Sequence, residues 1–141
     1  MIPGDTAAEL LKIEMDKVTN DGKEPKRFLL DGFPRTEDNI AGWDRILSKQ
    51  ATLEKVLFLN CSEETMIARI KSRAAADGAQ ARSDDNEETM RKRFAEFQKQ
   101  SLPIVEKYEK DGVVVKIDAS RTAEEIYNEV KGICVGKDDN Q

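Results

Sequence analysis

An acid and an arginine, Asp31 and Arg35, stand four residues apart at the end of an apolar run in the stretch Phe28 to Asn39, which reads FLLDGFPRTEDN. Phe28, Leu29 and Leu30 predict a short strand, continuous and apolar as in a buried parallel sheet. Asp31 would close that strand at its carboxyl end, where open α/β sheets bind their ligands. Gly32-Phe33-Pro34 then turns the chain and aims Arg35 into the same crevice. A carboxylate that can organise a metal ion, beside a guanidinium that can grip oxygens in pairs, suits a phosphate substrate. The Gly-Pro turn by itself fits equally well an ordinary strand-turn-helix connection with an exposed arginine.

Composition narrows the chemistry further. The chain has 141 residues, the size of one domain, with 38% hydrophobic and 36% charged residues. Both signs of charge are interspersed, so most helices should carry solvated outer faces. The net charge of −5 argues against broad nucleic-acid binding, which needs a positive field. No histidine occurs, which excludes histidine general bases, Ser-His triads and His-ligated metals. Cys61 and Cys134 lack metal-ligand spacing, and Cys61, at the end of an apolar run, reads as a buried unpaired thiol of a reducing compartment. There is no signal-peptide pattern and no apolar stretch long enough to span a membrane, so a cytoplasmic location is expected.

The elements that must position these residues alternate. Thr6 to Glu9 reads as a capping box opening a helix with Leu10, Leu11, Met15 and Val18 on its apolar stripe, stopped at Asn20-Asp21-Gly22. A helix with Ile40, Trp43 and Leu47 at its spacing follows the turn. Val56 to Leu59 is a second strand, and Ser62 caps a helix with Met66, Ile67 and Ile70 inward. Ala74 to Ala81, small, polar and glycine-containing, reads as a mobile loop. Asp85 or Asn86 caps a helix carrying Met90, Phe94 and Phe97, and Pro103 marks a break or kink before Ile104, Val105 and Tyr108. Asp111-Gly112 turns into a strand over Val113 to Ile117, and Thr122 to Glu125 is a capping box for a last helix with Ile126, Val130 and Ile133. The class is α/β with a parallel sheet and right-handed crossovers.

Three strings together resemble the nucleoside monophosphate kinases, the adenylate kinase and UMP/CMP kinase superfamily. They are FLLDGFPRTEDN, the run RSDDNEETMRKR from Arg82 to Arg93, and VVVKIDAS from Val113 to Ser120. The resemblance implies a three-layer P-loop kinase-like fold over about residues 1–135, a lid at about 74–85 and a flexible tail at 136–141. It implies ATP and Mg²⁺ as cofactors, and nucleoside mono- and triphosphates as partners, with neither nucleic acid nor membrane. Arg35 matches the arginine that grips the acceptor phosphate, and Asp31 the acid that helps hold the hydration shell of Mg²⁺. Asn39 matches the base-reading position, where the Asp38-Asn39 pair is as in UMP/CMP kinases while adenylate kinases usually carry glutamine. Ile2 resembles the segment that walls the acceptor base. Arg73, Arg82 and Arg93 match arginines around the transferring phosphoryl group, and Ser120 and Arg121 match positions that touch the donor adenosine.

No G-x-x-x-x-G-K-[ST] phosphate loop occurs in these residues. By the resemblance, the first strand, central in the sheet, and the second strand are missing. Losing a central strand strips hydrogen-bond partners from both neighbours. The chain is therefore expected either to pair the flanking strands Phe28–Leu30 and Val56–Leu59 directly or to be poorly stable. The implied activity is transfer of the γ-phosphoryl of ATP to UMP or CMP, negligible in this chain alone, by an enzyme that is monomeric when complete. The alternatives are an adenylate kinase acting on AMP, and a non-catalytic fragment that binds nucleotides or self-associates through its open sheet edge.

Overall fold

The structure, a computed structural model, describes residues 2–20, 22, 26–78 and 86–135. Its helices are α1 (Gly4–Thr19), α2 (Glu37–Gly42), α3 (Glu63–Asp77), α4 (Glu87–Glu96), α5 (Leu102–Lys110) and α6 (Ala123–Val135), and its strands are β1 (Val56–Asn60) and β2 (Val114–Asp118). Two π-helical turns, Trp43–Leu47 and Phe97–Ser101, follow α2 and α4. The chain divides into two compact units, Met1–Glu54 with Phe97–Lys107, and Lys55–Glu96 with Tyr108–Gln141. Most of the expected lid, Arg82 included, and the tail 136–141 lie outside the described residues.

In the first unit α1 packs on α2 and its π-helical turn. Ala8, Met15 and Leu47 are buried there, with Leu11, Trp43, Ile46 and Ala51 packed around them. Full burial of a leucine such as Leu47 contributes about 1.5–3 kcal/mol, so this small cluster is a main source of the unit's stability. The buried stripe of α1 is thus Ala8, Leu11 and Met15, spaced by three and four residues. Leu10 and Val18, expected inward, fall off that stripe and are 53% and 49% exposed. The start of the helix also differs from its local sequence pattern. It begins at Gly4, with Pro3 at the cap position and no side-chain cap of its own. An acid from elsewhere replaces the local box: Asp38 Oδ2 accepts the Gly4 N–H at 2.5 Å. A carboxylate there satisfies an orphan donor and sits at the positive end of the helix dipole. The approach is backbone on backbone, since a Cβ added to Gly42 would lie 2.5 Å from the Gly4 carbonyl oxygen.

The strand expected at Phe28–Leu30 is not formed. Residues 26–30 join no ladder, and Leu29 is 72% exposed, so the direct pairing with Val56–Leu59 is not made either. Apolar sequence gives a segment a propensity for strand, but a strand exists only where a neighbour accepts its hydrogen bonds, and none of the described residues does so.

The second unit holds β1 and β2 as a parallel pair, in register from Val56↔Val114 to Asn60↔Asp118. A parallel pair needs a crossover connection, and α3 and α4 lie in it. The expected α/β class with a parallel sheet is therefore present, here as two strands among the described residues. Ile117 of β2 is fully buried, whereas Cys61, expected to be buried, is half-buried just past β1. The caps read from the sequence at Ser62, Asn86 and Thr122 form as expected. Ser62 Oγ accepts the Thr65 N–H at 3.2 Å, and Asn86 Oδ1 accepts the Thr89 N–H at 2.9 Å. Thr122 and Glu125 exchange reciprocal bonds of 3.0 and 3.3 Å. Helix α3, however, runs on to Asp77 through the start of the expected loop, because Ala74, Ala75 and Ala76 are the best helix formers available. No helix of the described residues is long and apolar enough to cross a membrane.

Charges tie α3 to α4. Glu87 pairs with Lys71 at 2.5 Å and with Arg91 at 2.8 Å, and Arg91 also reaches Glu63 at 2.9 Å. The hydrogen bond from Lys71, then that from Arg91, pulls the Glu87 carboxyl from the ordinary 4.5 down to about 2. A carboxylate whose folded pKa is depressed stabilises the fold above its unfolded pKa and ceases to do so as pH falls. The Glu87 contribution should therefore be intact above about pH 4.5 and lost towards pH 2. Thermal unfolding followed from pH 6 to pH 2 at low salt is expected to show a shallower decline for Glu87→Gln than for the parent chain. The difference should shrink in high salt, since these side chains face solvent.

Candidate functional site

The turn that carries Asp31 and Arg35 is built around one glycine. Gly32 has φ +72°, a left-handed conformation that costs a side-chain-bearing residue about 1–2 kcal/mol. The bare Cα also makes room. The Arg35 side chain folds back over it, and its Nε–H donates to the Gly32 carbonyl at 2.8 Å. A Cβ on Gly32 would sit 2.5 Å from Arg35 Nη2. The guanidinium is thus anchored through Nε, and its two terminal nitrogens have no acidic partner among the described residues. An arginine held by one edge with its fork open is set up to take an oxyanion in bidentate fashion.

The backbone of Arg35 is held as well. Its N–H donates to Asn39 Oδ1 at 3.0 Å, and its carbonyl accepts from Ser101 Oγ at 3.0 Å. Thr36, in extended conformation, caps α2 by accepting the Asn39 N–H at 3.2 Å. Asn39 is buried, at 8% exposure, because its amide oxygen closes this turn. The bond from the Arg35 N–H fixes which end of the amide is oxygen and leaves Nδ2 as its donor end. Behind the turn, Phe33 packs on Trp43 with ring centroids 6.5 Å apart.

Asp31 is exposed at the start of the turn and has no hydrogen-bond or ion-pair partner among the described residues. Ile2 is 59% exposed, two residues ahead of the Gly4 N–H that Asp38 accepts, so the Gly4–Asp38 bond brings its segment beside Asn39. The first unit therefore carries Asp31, Arg35 and Asn39 on one turn and the start of α2, with Ile2 on the segment that the Gly4–Asp38 bond ties to α2.

The second unit carries the remaining residues singled out from the sequence. Arg73 on α3 and Arg93 on α4 are exposed, and Arg82 lies outside the described residues. Ser120 and Arg121 form the turn that leaves β2. Asp118 Oδ1 accepts both the Ser120 hydroxyl, at 2.6 Å, and its N–H, at 2.9 Å, which holds the Asp118 carboxyl below its usual range. The Arg121 guanidinium is engaged with Glu129 and donates from Nε to the Asp118 carbonyl at 3.0 Å. Its own carbonyl accepts from Arg69 at 2.8 Å. This arrangement is a well-satisfied turn, with the arginine charge already matched by an acid.

Nothing in the sequence points to Ser101. A serine two residues before a proline carries no local signal, and only the folded chain brings it to Arg35. The capping role of Asp38 is equally hidden, because its partner is 34 residues away.

A turn that offers an open arginine fork, beside an exposed acid and a buried amide, suits a protein that handles phosphates. The chain belongs to the adenylate kinase family, whose model, described as adenylate kinase, matches residues 1–113. It is similar to the UMP-CMP kinase of Homo sapiens, with 38% identity over 130 residues, or 92% of this chain and 65% of the human protein. The UMP-CMP kinase of Danio rerio is 39% identical over 99% of the chain and 69% of its own length, and that of Xenopus tropicalis 40% over 94% and 66%. The chain thus spans about two thirds of the length of these relatives.

The geometry of the turn makes Gly32→Ala a direct probe. The substitution is expected to destabilise the first unit by about 1–2 kcal/mol, from the left-handed backbone alone. Trp43 is the only tryptophan in the chain, so its fluorescence in a urea titration reports that change.

Proposed function

We propose that this chain carries the acceptor side of a nucleoside monophosphate kinase that moves the γ-phosphoryl of ATP to UMP or CMP. The observation that carries the reading is the anchored guanidinium of Arg35, tied by Nε to Gly32 with its outer fork open. Arg35 grips the acceptor phosphate. Asn39, its oxygen committed to the Arg35 N–H, offers Nδ2 to an acceptor atom on the pyrimidine edge. Ile2 walls the base. The names of the vertebrate relatives favour a pyrimidine over adenine. Residues 1–135 act in this reading as one kinase-like domain, with about 74–85 in the place of the lid.

The acceptor's phosphate oxygen is already anionic, so no strong base is required and the chain's lack of histidine is no handicap. Catalysis then consists of positioning and charge stabilisation. Arg73, Arg82 and Arg93 supply positive charge around the transferring group, and Ser120 and Arg121 border the donor adenosine. Asp31 fits an outer-sphere role towards Mg²⁺, since its carboxylate is exposed and unpartnered, and no cluster of three metal-ligating side chains occurs among the described residues. Asp31 would hold water of the ion's shell, and Mg²⁺ when bound neutralises charge on the donor phosphates. Donor phosphates also need a nest of backbone N–H groups and a lysine, which no phosphate-loop sequence in these residues provides. This chain is therefore a nucleotide binder with negligible transfer of its own. In this reading the complete enzyme is cytoplasmic and monomeric.

Titration of the chain with CMP, UMP and AMP, followed by Trp43 fluorescence, tests the assignment. Both pyrimidine nucleotides are expected to bind more tightly than AMP. Arg35→Gln should weaken CMP by about 10- to 100-fold, the value of a charge-assisted bidentate contact. Asn39→Gln should lower the preference for CMP over AMP. An Arg35→Gln chain that binds CMP within twofold of the parent would sink the kinase reading.

A further inference from the structure

Arg35 lies outside every helix and strand, yet neither of its backbone polar groups is left to solvent. Main-chain groups without a ladder or helix partner are often satisfied by water, so two side chains converging on one such residue mark a position that the fold holds in place. One of them, Asn39, is local. The other, Ser101, comes from 66 residues away. It closes the π-helical turn Phe97–Ser101, two residues before Pro103. Proline has no N–H to give, and its ring excludes the carbonyl four residues back, here that of Lys99. The helix opens by one residue at this point, as π-helical turns do, often at functional sites. The opening falls where Ser101 meets the acceptor turn.

We infer that Ser101 is a positioning residue for Arg35. Its hydroxyl pins the Arg35 carbonyl and so sets the peptide plane between Arg35 and Thr36. Asn39 pins the N–H on the other side. With both ends of the residue held, the backbone from which the side chain reaches back to the Gly32 carbonyl is fixed, and the Nε–H bond to that carbonyl then aims the guanidinium fork. Ser101 acts through Arg35 and not on the reacting atoms. The functional part of the inference rests on the reading of Arg35 as the phosphate grip; the geometric part does not.

The test uses the whole chain and two signals. The first is solvent exchange of the Arg35 Nε–H, read by nitrogen–proton NMR, which the bond to Gly32 should slow. The second is CMP affinity. Ser101→Ala is expected to speed that exchange and to weaken CMP, each by roughly 3- to 10-fold, the value of one side-chain hydrogen bond. Ser101→Thr, which keeps the hydroxyl, should hold both within twofold of the parent. Unchanged Nε–H exchange in Ser101→Ala overturns the inference, whatever happens to CMP. So does a Ser101→Ala chain that loses its fold or exchanges faster throughout the first unit, since that marks a residue of general stability. If Arg35→Gln leaves CMP binding intact while Ser101→Ala still frees the Nε–H, the kinase reading fails and the positioning role stands. If Arg35→Gln abolishes binding and Ser101→Ala changes neither signal, the positioning role alone fails.

Discussion

Everything the turn at Gly32 to Thr36 can do depends on the fixing of one residue that regular structure leaves unsupported. Arg35 sits between a glycine turn and a helix cap, where no ladder or helical repeat disposes of its backbone groups. Asn39, Ser101 and Gly32 each take one of its polar groups, at 3.0, 3.0 and 2.8 Å. Single hydrogen bonds of this kind are worth only about 0.5–1.5 kcal/mol net, but three of them acting on one residue remove most of its freedom. The entropy of ordering a long cationic side chain is then met by the fold before any ligand arrives.

The packing of the first unit serves that end. Helix α1 fixes α2 through the Ala8–Met15–Leu47 cluster and through the Asp38 bond to the Gly4 N–H. Helix α2 in turn carries Asn39 on its first turn, directly after the Thr36 cap. A contact made by Asp38 on the helix start thus orients the neighbouring amide that closes the Arg35 turn. The aromatic pair Phe33–Trp43 backs the same turn from within the unit.

Much of this is legible in the residues. The DGFPR string marks the turn, and helix-spaced Ile40, Trp43 and Leu47 mark the element after it. The capping patterns at Ser62, Asn86 and Thr122 are legible too, because a cap bond spans three residues and is written locally. What escapes the sequence is whatever needs a distant partner. Phe28 and Leu29 are apolar enough for a buried strand, yet burial and pairing are properties of the neighbourhood, and both side chains stay exposed. Thr6 offers a plausible cap, but Asp38, far along the chain, caps α1 at its earlier start. Ala74 to Ala76 look loop-like beside Gly78, but intrinsic helix propensity carries α3 through them. At the site, Arg35 and Asp31 can be read from type and spacing, while Ser101 cannot, because nothing local announces a bond across 66 residues.

The meeting of Gly4 with Gly42 and Asp38 has an evolutionary corollary. Two main chains touch there with no volume spare for a methyl group on either glycine. Change at one position is consequently conditional on change at the other: a larger residue becomes acceptable only after the helices have drifted apart, and that drift would carry the amide of Asn39 with it. Such steric epistasis couples a corner with no chemistry of its own to the descent of the Arg35 turn, and variants there should accumulate jointly or not at all.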